Sequence, residues 1–139
     1  MELTAVALQT VAENQNVLFT DTVVCGGPSI VHRSGSGLIT LRGLTNQCRA
    51  RFKVSFGGNI AIPADGTVGP ISLAISIDGE ALGSTLMIET PAAVEEFSNV
   101  FSAVYINVPA GCCVTVGVRN TSDQAIDVQN ANLIAERVA

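Results

Sequence analysis

Short alternating runs, separated by turn-forming residues at regular intervals, constrain the fold of this chain more than any other feature. Turn signals recur at Gly26-Gly27-Pro28, Ser34-Gly35-Ser36-Gly37, Gly57-Gly58-Asn59, Pro63-Ala64-Asp65-Gly66, Asp78-Gly79, Pro109-Ala110-Gly111 and Asn120-Thr121-Ser122-Asp123. Between them apolar and polar residues alternate with period two, which marks half-buried strands. The clearest run places Arg49, Arg51 and Lys53 on one face and Ala50, Phe52, Val54 and Phe56 on the other. Ile71, Leu73, Ile75 and Ile77 alternate with Ser72, Ala74, Ser76 and Asp78, and Val114, Val116 and Val118 alternate with Thr115, Gly117 and Arg119. The run Val100, Ser102, Val104, Ile106, Val108 alternates with Phe101, Ala103, Tyr105 and Asn107, so both of its faces carry apolar groups.

These signals predict ten strands, at 3–11, 16–24, 29–33, 37–43, 48–62, 69–78, 81–89, 96–108, 112–119 and 125–137. Asp78-Gly79 tolerates the positive φ of a tight turn, so 69–78 and 81–89 pair as a hairpin. Pro109-Ala110-Gly111 makes a second tight connection. One helical turn competes at Thr90-Pro91, an N-cap and N1 pair followed by Glu95 and Glu96. The fold class is therefore all-β, an antiparallel sandwich of about ten strands in one domain spanning residues 1–139. Residues 3–11 pair within the subunit or are donated to a neighbour.

Composition excludes several classes. Hydrophobic residues make up 47% of 139 residues and charged residues 14%, too apolar for a disordered chain. Thirteen Gly and five Pro do not suit a coiled coil. Seven basic against twelve acidic groups give a net charge of −5, the wrong sign for a nucleic-acid partner. No stretch reaches the ~18 apolar residues of a membrane helix, and Met1-Glu2-Leu3-Thr4 has no basic n-region of a signal peptide.

No catalytic, cofactor or metal set stands out, and the chain reads as a non-enzyme. The lone His32 sits at a strand end with no G-x-S-x-G elbow nearby. One histidine cannot furnish the several ligands of a cupin-like metal site. Glu95 and Glu96 are adjacent and belong to a solvated loop instead of a converging carboxylate pair. Ser34-Gly35-Ser36-Gly37 precedes a strand pattern and not a helix, so it does not cradle phosphate. Cys25, Cys48, Cys112 and Cys113 lack C-x-x-C spacing, and their reading is open between buried free thiols and disulfides. Asn120-Thr121-Ser122 forms a sequon, relevant only in a eukaryotic secretory pathway.

Two features point to an assembled protein. A strand apolar on both faces needs a core on one side and a partner on the other, so Phe101, Ala103 and Tyr105 are candidates for a subunit contact. The stripe Arg49, Arg51, Lys53, with Arg42 nearby, is either a solvated face or an inter-subunit contact facing Glu80, Glu89 or Glu136. Loops 63–70, 90–96 and 119–125 are candidates for ligand binding, although they hold no Trp or Tyr for stacking on a sugar.

The order of several segments resembles the TNF-like, complement-head-like jelly roll, in particular the C-terminal domain of bacterial collagen-like exosporium glycoproteins and modules of phage head fibres. Asn14-Gln15-Asn16-Val17-Leu18-Phe19 is similar to the opening "x-N-x-V-L-F" of those domains. Ser29 to His32 followed by Gly35 to Leu41 resembles "I-x-H-x-x-G-x-x-x-T-L". Phe52-Lys53-Val54-Ser55-Phe56 is similar to "Y-x-V-x-Y/F", and Ser72 to Ser84 to the "L-x-V-N-G-x-x-x-x-G-S" hairpin. Val108-Pro109-Ala110-Gly111 is similar to "L-x-A-G-D", with Cys112 in place of Asp, and Ala131 to Arg137 to "A-x-L-x-I-x-R". The resemblance covers residues 14–139. It implies a TNF-like jelly roll that assembles as a compact homotrimer. It further implies a structural head or decoration domain in a larger spore, cell or virion surface assembly, outside the cell or on a particle. A receptor-binding head and a fibre cross-linked by cysteines are the alternatives. The family's Gly-x-y collagen stem is absent from this sequence, and the four cysteines are not a family feature.

Overall fold

In a computed structural model of the chain, which describes residues 1–44, 48–111 and 113–139, the alternating runs form strands in two antiparallel sheets. In chain order these are β1 (Glu2–Ala5), β2 (Gln9–Val11), β3 (Asp21–Val24), β4 (Ile30–His32), β5 (Leu38–Arg42) and β6 (Arg49–Ala61). There follow β7 (Ile71–Ile77), β8 (Glu80–Ala81), β9 (Met87–Glu89), β10 (Ser98–Pro109), β11 (Cys113–Asn120) and β12 (Ile126–Arg137). The first sheet has the order β10-β6-β12-β1-β3, with β2 also on β12. The second has the order β4-β5-β11-β7-β8, with β9 also on β7. Neighbours within each sheet are mostly distant in sequence, which is the jelly-roll arrangement that the family resemblance implies.

The core lies between the sheets. Phe52, Val54 and Phe56 of β6 face Leu73 and Ile75 of β7 and Val116 of β11 from the opposite layer, and all are buried. Phe19 meets Phe56 edge-on, with centroids 6.3 Å apart and planes at 75°. The alternation of β6 is realised residue by residue: even positions from Ala50 to Phe56 are buried, while Arg49 and Arg51 are exposed.

Asp78 and Gly79 both adopt left-handed backbone, φ 50° and 86°, and close the two-residue hairpin that pairs Ile77 with Glu80. The Asp78 carboxylate also accepts the Thr115 N–H at 2.9 Å. The second half of that hairpin departs from expectation. Residues 81–89 do not form one strand but β8, a 3-10 turn at Gly83–Thr85, and β9. Thr85 is the cause. Its buried hydroxyl accepts the Ile75 N–H at 2.9 Å and donates to the Leu82 carbonyl at 2.8 Å, taking the ladder position a backbone group would fill.

Three further expectations are corrected. Residues 3–11 form two strands, both paired to β12 within the subunit. The break at 6–8 faces a bulge in β12, where Asn130 takes φ 56° and its N–H bonds to the Val6 carbonyl. Residues 16–24 change sheets. Val17 N–H bonds to Val118 of the second sheet and Thr20 N–H to Thr4 of the first, so only the end of the run is a strand. Gly37 lets this crossover approach, because a Cβ there would sit 2.7 Å from the Val17 carbonyl oxygen. Thr90-Pro91 starts no helical turn; the segment is a bend with Glu95 at φ 60° and Glu95 N–H on the Ile62 carbonyl.

The sequon asparagine is a core group. Asn120 is fully buried; its amide donates to the carbonyls of Val11 and Gln124 at 3.0 and 2.9 Å, and its carbonyl accepts the Ser122 N–H at 2.9 Å. Asn120→Ala leaves that buried N–H without an acceptor and should cost about 2 kcal/mol, measured as a lower midpoint in urea unfolding. An unchanged midpoint would mean that the network is not stabilising.

Candidate functional site

The outer face of the first sheet is where the sequence-predicted interface residues converge. β10 is an edge strand, and its odd-numbered residues point away from the core. Phe101 is 66% exposed and Tyr105 64% exposed, with exposed Ala103 between them. Register carries the face across the sheet. Phe101 lies opposite Gly57, which is opposite Asn132, which is opposite Thr4. Ala103, Ser55, Ile134, Glu2 and Val24 form the next row, and Tyr105, Lys53 and Glu136 the one after it. A shallow hollow of about 390 Å³ opens between Arg51, Tyr105 and Val138.

The stripe Arg49, Arg51, Lys53 lies on this same face, opposite Pro109, Asn107 and Tyr105. None of the three has a side-chain hydrogen bond or ion pair among the described residues. Of the acids considered as counterparts, Glu136 is the register neighbour of Lys53, whereas Glu80 and Glu89 belong to the second sheet and do not face the stripe within a subunit. Sequence reasoning missed the far side of this face. Glu2 accepts from the Asn132 amide at 2.6 Å, and Asp21, Val23 and Val24 line the β3 edge. The alternation of Glu2 and Thr4 with Leu3 and Ala5 signals which face they occupy. Nothing local signals that β1 lies beside β12.

The other candidates lie apart from this face. His32 is half-buried on β4; its Nε2 is 2.9 Å from the Ser36 carbonyl, and its Nδ1 is buried without a partner among the described residues. Among the described residues neither a nucleophilic side chain nor a carboxylate is hydrogen-bonded to it. Cys25 and Cys48 are exposed free thiols, not buried ones, because each lies in a connection just outside a strand. Cys113 is exposed at the start of β11, and Cys112 lies outside the described residues. Among the described residues no three His, Cys, Asp or Glu side chains are grouped to share a metal ion. No helix among them is long and apolar enough to cross a membrane.

Of the three candidate loops, 63–70 and 119–125 are clamped together. The Gln124 side chain accepts the Thr67 N–H at 2.9 Å and donates to the Thr67 carbonyl at 2.7 Å. A recess of about 360 Å³ results, lined by Thr67 to Pro70, Asp123 and Gln124. Loop 90–96 reaches the same end through the bond of Glu95 to Ile62.

No family model matches the sequence. No curated protein matches it either. Solved structures do match in fold. The globular domain of zebrafish complement 1qA is 11% identical, with 96% of this chain and 93% of that one covered and a TM-score of 0.59. This chain thus has the TNF-like jelly-roll fold of the complement head. A carbohydrate-binding module, CBM35 of Cellvibrio japonicus Abf62, aligns at 9% identity over 96% of this chain and 99% of that one, with a TM-score of only 0.36. An Arthrobacter globiformis isomalto-dextranase complexed with panose aligns at 10% identity over 91% of this chain and 23% of that one, with a TM-score of 0.32. Neither of these two adds to the assignment.

Proposed function

We propose that this domain is a non-enzymatic structural module that works as a compact homotrimer, assembled through the outer face of the first sheet, as a head or decoration on a spore, cell or virion surface. The observation that carries the reading is the placement of Phe101 and Tyr105, two large rings exposed on one face of a regular strand with Ala103 between them. Exposed aromatics in such a row are what an interface core uses and what a monomer surface avoids. The jelly-roll fold, shared with a complement head, supports it.

Tyr105 makes the reading testable, because the chain has one Tyr and no Trp. Its fluorescence should be shielded from iodide at high protein concentration and become quenchable on dilution as subunits separate. Quenching that is strong and independent of concentration would contradict assembly through this face. Surface display is tested separately, by antibody labelling of intact particles or cells of the source; labelling only after lysis would contradict it.

The clamped recess at Thr67 and Gln124 favours a second reading, a binding head acting through its end loops. Its walls are small and mixed, polar at Thr67, Asp123 and Gln124 and apolar at Val68 and Pro70, with no aromatic ring, so the ligand would be oriented by hydrogen bonds and not by stacking. The exposed thiols of Cys25 and Cys48 are what a cross-linked fibre would use. Polymers that collapse in reductant would favour that form over the compact head.

A further inference from the structure

The outer face of the first sheet is divided electrostatically. Its β10 and β6 side holds Phe101 and Tyr105 together with Arg49, Arg51 and Lys53. Its β1 and β3 side holds Val23, Val24 and neighbouring Ile134 together with Glu2 and Asp21. Each side therefore pairs exposed apolar groups with side-chain charges of one predominant sign, and the signs are opposite; the exceptions are Glu136, in the row of Lys53, and the part-buried Met1 ammonium, bonded to the Ala135 carbonyl at 2.7 Å. The basic groups have no partner within the subunit among the described residues, apart from the proximity of Glu136 to Lys53. Four strand spacings of about 4.8 Å separate β10 from β3, so the two halves are distinct surfaces instead of one mixed patch.

We propose that the partner of the basic half is the acidic half of a second copy of this chain, with β6 and β10 of one subunit against β1 and β3 of the next. This rests on the homotrimer reading and specifies how its ring closes. A heterologous contact that rotates by a third of a turn uses each half once per subunit and leaves neither half uncovered. Charge complementarity sets the register, and the like-charged pairing of two basic or two acidic halves is excluded. Screening by salt weakens the contact.

Charge reversal in halves tests this. One variant carries Arg51→Glu with Lys53→Glu; the other carries Glu2→Arg with Asp21→Arg. Each alone should be folded by circular dichroism, with its half-assembly concentration raised at least about 100-fold over wild type. All four substitutions in one chain should restore the three-subunit mass. An equimolar mixture of the two half-variants should not, because an odd ring of two alternating types must contain one like-charged contact. Either half-variant remaining trimeric, or the mixture assembling as well as wild type, overturns the pairing of basic with acidic halves while the homotrimer stands. The four-fold variant remaining a folded monomer does the same. A monomeric wild type overturns the homotrimer reading beneath it. Should the Glu2 substitution unfold the chain by breaking its bond to Asn132, Asp21→Arg against Arg51→Glu repeats the comparison with exposed positions only.

Discussion

Phe56→Ala will destabilise the domain by about 3–5 kcal/mol, the largest single loss expected from the core. The ring is fully buried on the inner face of β6 and packs edge-on against Phe19. Phe19 belongs to the crossover that links the two sheets, so the cavity opens where the layers are joined. Those neighbours are backbone-anchored: the Phe19 N–H bonds to the Ser36 carbonyl and its own carbonyl accepts from Gly35. They cannot collapse into the space, which is the condition under which truncation is most costly. Thermal unfolding followed by circular dichroism should show a midpoint lower by about 10–17 °C. A shift of a degree or two would mean that the layers do not rely on this pair.

Phe101→Ala combined with Tyr105→Ala will do the reverse. The fold should be retained, with stability of the separated subunit changed by less than about 0.5 kcal/mol, because both rings project from an edge strand into solvent. Assembly should weaken at least about 100-fold, since truncating two central aromatics of an interface typically costs about 2 kcal/mol or more for each. Phe101 lies over Gly57, whose added Cβ would stand 3.6 Å from the ring, so the ring is the raised feature of that row. The same side chain thus has opposite roles at positions 56 and 101, separated only by which face of paired strands it occupies. Dilution followed by light scattering measures the effect, and assembly as tight as wild type would remove these residues from the interface.

That separation of faces was legible in the sequence, because period-two alternation reports directly which residues are wet and which are dry. Residues 49–56 are the clearest case, and the double-faced apolar run at 100–108 is found with its odd-numbered residues, Phe101 and Tyr105 among them, exposed. The Asp78-Gly79 hairpin was equally legible from turn chemistry. What alternation cannot report is which strand lies beside which. The division of 3–11 follows from a bulge at Asn130, more than a hundred residues away. The interruption of 81–89 follows from one hydroxyl, Thr85, replacing a ladder bond to Ile75. Asn120 reads locally as an exposed sequon, yet its four-residue neighbourhood with Gln124 and the distant Val11 make it a buried hub. For the same reason Glu2 and Asp21 could not be assigned to the outer face of the first sheet, since the pairing of β1 with β12 and β3 is long-range.

The central claim is that this jelly roll works as three copies. Multi-angle light scattering of the full chain in reductant tests it most directly, because reductant removes any contribution from Cys25 and Cys48. The account predicts a single species at three times the subunit mass of 14.4 kDa, persisting on dilution to micromolar concentration. A species at 14.4 kDa throughout would contradict it.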